Sequence, residues 1–460
     1  MSLLTSLYGF TADDAERNLD TEPSVIEEIT KAVLTMQANA ARAQHRLLRR
    51  GTHAKGVCAR GQFEVLDVRA GYDPALASRI AIGIYTWPGT YPAIVRFGNS
   101  DPNVNPDSKP DVRSLSFSIE YAPGDAAVAV EKITRQDYSL QSATTLPLND
   151  ANTFLATMKV LSAPNQLRAL LSLSGEDKLR VIRTMARAQV QVHQPIRPYQ
   201  QLRYWSNVPF RHGQKDVVKY GAMPRSDNQA HPLEKSNPNC LQDELVRHLN
   251  EDSQVSSFDF GLQFLDPEKM TWKGKRRDAS FWTENASVEW DETQSPFHTV
   301  GRLTLLPKSQ LSAEAGEAIY FDVTGNSTPD TTPLGSINRA RWQGEAASRK
   351  TRMGVPRAAG IRRQLGRREF GGYMVAATDL RLAPEARRHS NCGCLVDPNR
   401  QIHAGSERQR RLRRLRQPLH YWHNVIHHEE QGNQCEYFHG LGGAQQQERN
   451  ERYSRTGVHR

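Results

Sequence analysis

Cysteine is scarce in this chain: five thiols in 460 residues, at 58, 240, 392, 394 and 435, odd in number and scattered. Such a set fits a reducing compartment better than a disulfide framework. Long apolar runs are missing too, so no segment reaches the length that a membrane span requires. The first ten residues carry no basic stretch ahead of an apolar core, which argues against a secretory signal. The expectation is a soluble, cytoplasmic protein. Hydrophobic residues make up only 38% of the chain, low for a compact enzyme, so part of it is expected to lie outside any core. Lysine disappears after Lys350.

The charge that is present is unevenly placed. Residues 1–348 hold 38 Lys and Arg against 40 Asp and Glu, whereas residues 349–460 hold 22 against 10. The net charge of +10 therefore belongs to the C-terminal quarter. Two regions follow: a main domain over 1–352, and an Arg-rich extension over 353–460 that reads as poorly structured. The run Arg408 to Arg416 has no interleaved aromatic residues, so nucleic-acid binding is not expected. Cys392-Gly393-Cys394 has no second pair at zinc spacing.

Periodicity gives the fold class. Ser24 and Glu27 have capping-box spacing, and Val25, Ile26, Ile29, Val33 and Met36 recur every three to four residues, predicting a helix from about 25 to 49. Two-residue alternation then takes over, in Leu115, Phe117 and Ile119, and again in Phe258, Phe260, Leu262 and Phe264. Shorter strand-like runs lie at 62–66, 93–97, 300–306 and 318–323. Helical spacing returns over 150–161 and 174–192, and the stretch from Pro195 to Pro238 reads as an irregular wrap. Together these predict an α+β domain built on an antiparallel sheet, open or closed into a barrel, with flanking helices.

Several segments carry chemistry. In Arg50-Gly51-Thr52-His53-Ala54-Lys55-Gly56 a histidine stands just ahead of a strand among small neighbours, and imidazole exchanges a proton near neutral pH. Val95-Arg96-Phe97-Gly98, Asp111-Val112-Arg113-Ser114-Leu115-Ser116-Phe117 and Tyr204-Trp205-Ser206-Asn207-Val208-Pro209-Phe210 follow in order, and then Pro333-Leu334-Gly335-Ser336-Ile337-Asn338-Arg339-Ala340-Arg341. These segments, collinear over about 45–352, resemble the haem catalases. The last is similar to the shorter catalase-like branch, which includes peroxidases and coral-type allene oxide synthases.

The resemblance implies an antiparallel β-barrel with flanking helices, haem b as cofactor, and action on hydrogen peroxide or on organic and lipid hydroperoxides, with homo-oligomers common. It makes His53 the distal acid/base and puts Arg50, Arg96 and Arg352 beside the haem propionates, a task that suits a planar guanidinium. It puts Phe154 against the porphyrin face and Thr52 where a hydroxyl can bond the distal histidine, leaning towards organic hydroperoxides. The chain departs from the family at two places. The distal asparagine is replaced by Gln141 in one register and Ser142 in the next. The proximal tyrosinate, four residues after Arg341, is replaced by Glu345, which can either ligate iron as a carboxylate or pair with Arg341 at i, i+4. The same substitution supports a second reading, a non-catalytic member of the fold that is haem-free or uses haem as a sensor.

Overall fold

The computed structural model of the chain describes residues 15–17, 20–45, 53–122, 124–125, 128, 130 and 133–353. The expected basic extension, Arg50 and Thr52 lie outside the described residues.

Among the described residues nine strands form one antiparallel sheet. They are β1 (Gly56–Val65), β2 (Gly89–Asn99), β3 (Arg113–Glu120), β4 (Arg135–Gln141), β5 (Tyr204–Trp205), β6 (Phe210–His212), β7 (Asp216–Pro224), β8 (Ser256–Phe264) and β9 (Phe297–Gln310). Their order is β5-β4-β3-β2-β1-β9-β8-β7-β6, and Tyr204 and Trp205 also pair with Ala222 and Gly221 of β7. This second pairing closes eight strands into a barrel and leaves β6 as an arm on the start of β7. Closure gives every barrel strand a neighbour on both sides and so removes the exposed edges of an open sheet.

Alternation decides which side chains fill the barrel. Phe63, Phe97, Leu115, Phe117, Tyr138, Leu140, Tyr220, Phe258 and Phe260 all point inward and are at most 1% exposed. Their rings interlock, with Phe117 stacked on Tyr138 at 4.7 Å and edge-on to Phe260 at 5.6 Å. The hydroxyls of Tyr85 and Tyr138 meet at 2.9 Å inside this core. The lumen is therefore packed solid, and ligand chemistry has to take place on the outer face. One close approach depends on glycine: a Cβ at Gly301 would stand 2.5 Å from the Phe63 ring.

The helices that bear on the site include α1 (Glu22–Ala43), α2 (Ala151–Leu161), α3 (Gly175–Val192), α4 (Cys240–Val246) and α5 (Ser336–Met353). Asp150 and Ser174 cap α2 and α3 by accepting from the amides of Thr153 and Asp177. Ile26 and Ile29 of α1, Ala151 and Leu155 of α2 and Ala340 of α5 form one apolar cluster. Beside it the Arg339 guanidinium grips Glu22 through two bonds of 2.9 Å, reaches Glu284 at 3.1 Å and also pairs with Glu16. This buried knot fastens α1 to α5.

Three expectations need correction. Helix α1 begins at Glu22, because Pro23 fits the first turn, where its missing N–H is not needed; Ser24 donates to the Thr21 carbonyl and forms no capping box. The helix ends at Ala43, short of the expected 49, and His45 turns into the left-handed region at φ 52°. The stretch 195–238 is no mere wrap, since it supplies β5, β6 and β7. Residues 318–323 are not a strand: the Asp322 amide donates to the Asp137 carboxylate at 2.7 Å, which replaces a ladder bond.

Candidate functional site

His53 stands in the turn that leads into β1, in the left-handed region at φ 56°. Its amide donates to the Ser100 carbonyl at 3.3 Å, and the Ala54 amide donates to Asp101 at 3.2 Å. The turn thus runs on beside β2 after the ladder ends at Gly56 and Gly98. Arg96 projects from the outer face of β2 and donates to the carbonyl of His53 itself. It is buried, between Cys58 of β1 and Ser116 of β3. Gly56 makes room for it: a Cβ there would lie 3.0 Å from Nη2 of Arg96 and closer still to the Phe97 carbonyl. The imidazole is half-buried, and its Nε2 is shielded from water.

Two residues on, Lys55 anchors the same turn. Its ammonium pairs with Asp107 at 2.8 Å and donates to the carbonyls of Asn105 and Pro238, at exposures of 5% for Lys55 and 0% for Asp107. Asp107 also accepts from Asn99 and from the Leu241 amide, each at 2.9 Å, and Tyr199 donates to Asn99 at 3.0 Å. The Lys55 ammonium and the Asp107 carboxylate are both fully engaged, so an otherwise costly buried charge becomes a rigid post. The sequence reading missed Lys55, Asp107, Asn99 and Tyr199; the only cue lay in Lys55, which is part of the histidine motif.

The outer face beside His53 is lined by small residues. Gly98, Ser114 and Gln141 share one cross-strand row, and Arg96, Ser116 and Ser139 share the next. Of the two candidates for the distal amide position, Gln141 faces outward in this row. Ser142 is used differently: its hydroxyl accepts from the Arg113 amide at 2.9 Å, and its own amide donates to the Arg113 carbonyl at 2.8 Å. Gln141 also pairs with Trp205 of β5, which borders an open cleft of about 1010 Å3. Asp111, Arg113, Arg187, Ile196 and Met223 help to line that cleft. Burial pushes the Asp111 carboxyl up to about 6, although it accepts from the Asp101 amide at 3.0 Å.

The remaining predicted residues lie on or against α5. Arg341 Nε donates to Oε1 of Glu345 at 3.1 Å, and these side chains are 23% and 44% exposed. Among the described residues no hydrogen bond reaches the second carboxylate oxygen, Oε2. Arg352 donates back to the Ser348 carbonyl of its own helix at 3.4 Å. The half-buried Phe154 ring packs against the apolar cluster of α1, α2 and α5. Among the described residues no group of three or more His, Cys, Asp or Glu side chains is gathered for a metal ion. None of the helices there is long and apolar enough to cross a membrane.

No protein-family model matches the chain, and no curated protein matches it in sequence. Solved structures match its fold. A fungal catalase is 15% identical with a TM-score of 0.50, covering 69% of this chain and 62% of its own. Catalase A from Saccharomyces cerevisiae is 17% identical, again at 0.50, covering 69% and 63%. The chain has the catalase fold: an eight-stranded antiparallel barrel with flanking helices. It spans less than two-thirds of the length of these catalases.

Proposed function

We propose that the chain is a catalase-like, haem-dependent oxidoreductase acting on hydrogen peroxide or on organic and lipid hydroperoxides in a reducing cytoplasm. The observation that carries this reading is the His53 turn. A histidine in left-handed backbone, tied by Arg96 and the Lys55–Asp107 post, is held far more firmly than a surface side chain needs to be. Strained backbone retained in this way clusters at functional positions.

The donor set on α5 fits a ferric haem in one respect. Glu345 offers an anionic oxygen oriented by an arginine one helical turn earlier, with Oε2 still open. Arg50, Arg96 and Arg352 would hold the two haem carboxylates, and Glu345 would offer its anionic oxygen to the iron. Haem, when bound, supplies a ferric centre at which the O–O bond of a peroxide can be cleaved heterolytically. His53 accepts the proton from one peroxide oxygen and returns it to the other as the bond breaks. Gln141, on the outer face of the sheet, donates its amide to the bound peroxide.

A second reading is favoured by the Arg341–Glu345 pair, which is complete as it stands. In that reading the protein has kept the fold without the reaction, binding haem only as a sensor or not at all. Titration with haemin separates the two. The enzyme reading expects a Soret band, turnover of an organic hydroperoxide, and loss of about a hundredfold or more in that turnover in His53→Ala. The absence of a Soret band at any haemin concentration would discard it. Glu345→Tyr is expected to move the spectrum towards a phenolate-ligated form; an unchanged spectrum means that residue 345 does not face the iron.

A further inference from the structure

Outside the site, the largest concentration of exposed apolar side chains among the described residues falls on the helical hairpin 166–192, made of the helix Gln166–Ser172 and α3. Leu171, Leu179 and Val190 are 62%, 53% and 69% exposed, and Leu167 adds to the same region. Along α3, Leu179, Arg183, Ala186 and Val190 recur at intervals of four, three and four, so they form one outward stripe. The opposite face supplies the buried Val181 and Thr184.

Charge selects what such a stripe would meet. Residues 166–197 contain six basic and two acidic side chains, while the rest of 1–348 contains 32 basic and 38 acidic. Both acidic residues, Glu176 and Asp177, are engaged by Arg180. Arg168, Arg183 and Arg197 have no acidic partner among the described residues. The hairpin is a basic, leucine-bearing island on an otherwise acidic domain. A second copy of the chain would set Arg183 near its own counterpart in a two-fold contact, which like charges oppose. A surface of negative headgroups over hydrocarbon satisfies both features at once.

We propose that the hairpin 166–192 rests on an anionic lipid bilayer, its leucines and Val190 entering the headgroup layer and its arginines meeting phosphates. Val190, Gln191 and Arg187 also wall the open cleft. The contact therefore brings the cleft against the lipid. It stands independently of the haem reading, since it needs neither the cofactor nor turnover.

The test uses the full chain and vesicles of phosphatidylcholine, alone or with about one-third phosphatidylserine. Binding is measured by flotation, and side-chain exposure by hydroxyl-radical footprinting with mass spectrometry. Flotation with the anionic vesicles only is expected, together with protection of Leu171, Leu179 and Val190. The double variants Leu171→Asp with Leu179→Asp, and Arg168→Glu with Arg183→Glu, should each weaken binding by about tenfold or more. All four positions are solvent-exposed or on the outer turn, so circular dichroism should show both variants folded. Vesicle binding without protection at these side chains would assign the contact to the Arg-rich segment beyond 353 and overturn the proposal. So would protection that appears without vesicles as protein concentration rises, which marks self-association.

Discussion

The turn that carries His53 and the helix that carries Glu345 are held by opposite means. The turn is pinned by side chains far apart in sequence, with Lys55 and Asp107 almost completely buried and both charges engaged. The Glu345 carboxylate depends on one bond from its own helix and is nearly half-exposed. A rigid turn therefore contrasts with a helix position that is cheap to change. A substitution at 345 costs the fold little, whereas disturbing the His53 turn means dismantling a buried network.

The largest expected effect tests the rigid side. Lys55→Met leaves the Asp107 carboxylate buried without its cation and should destabilise the protein by about 3–5 kcal/mol, read from urea unfolding. Adding Asp107→Asn removes the stranded charge and should recover part of that loss. If Lys55→Met shifts the urea midpoint no further than a surface substitution does, the post is not what holds the turn.

The same contrast explains what could be read from sequence. The Arg341–Glu345 pair was legible because helical geometry makes residues four apart into neighbours. Inward residues such as Phe117 and Phe260 were legible because a strand with one buried face alternates. The Lys55–Asp107 pair joins two loops 52 positions apart, and no local period encodes it. Strand β7 was hidden for a related reason: Val217 on its outer face and Val218 on its inner face are both buried, in separate apolar clusters, so burial on both sides blurs the alternation. Strands β5 and β6 have only two and three residues, too short for any period, yet β5 closes the barrel.

A smaller effect is expected at Asp111, between the His53 turn and the cleft. Its carboxyl is raised by burial from 3.8 to about 6, so the folded state holds the proton more tightly than the unfolded chain. Its contribution is fully present below about pH 4 and is lost as pH rises through about 6. Asp111→Asn keeps an acceptor for the Asp101 amide and cannot ionise. The variant should therefore gain about 1–3 kcal/mol over the wild type between pH 4 and pH 7. His212, buried with its pKa lowered to about 4, loses stability in the opposite direction, as pH falls from 6.5. Only the difference between variant and wild type isolates Asp111; a gap that stays constant with pH would rule out its titration.

The smallest effect is expected at the Arg341–Glu345 pair, on which the proposed chemistry turns. Arg341→Ala removes a half-exposed i, i+4 contact and should cost under about 1 kcal/mol, falling further in high salt. A similar cost is expected for Glu345→Ala. The informative quantity is their coupling in a double-mutant cycle, measured with and without haemin. If Glu345 serves only as a helix partner, the coupling is the same in both conditions. If Glu345 ligates iron while Arg341 steadies it, haemin raises the coupling, because Arg341 then supports a carboxylate whose position matters to a third party. A coupling unchanged by haemin, in a protein that nevertheless shows a Soret band, would place the axial donor at another residue.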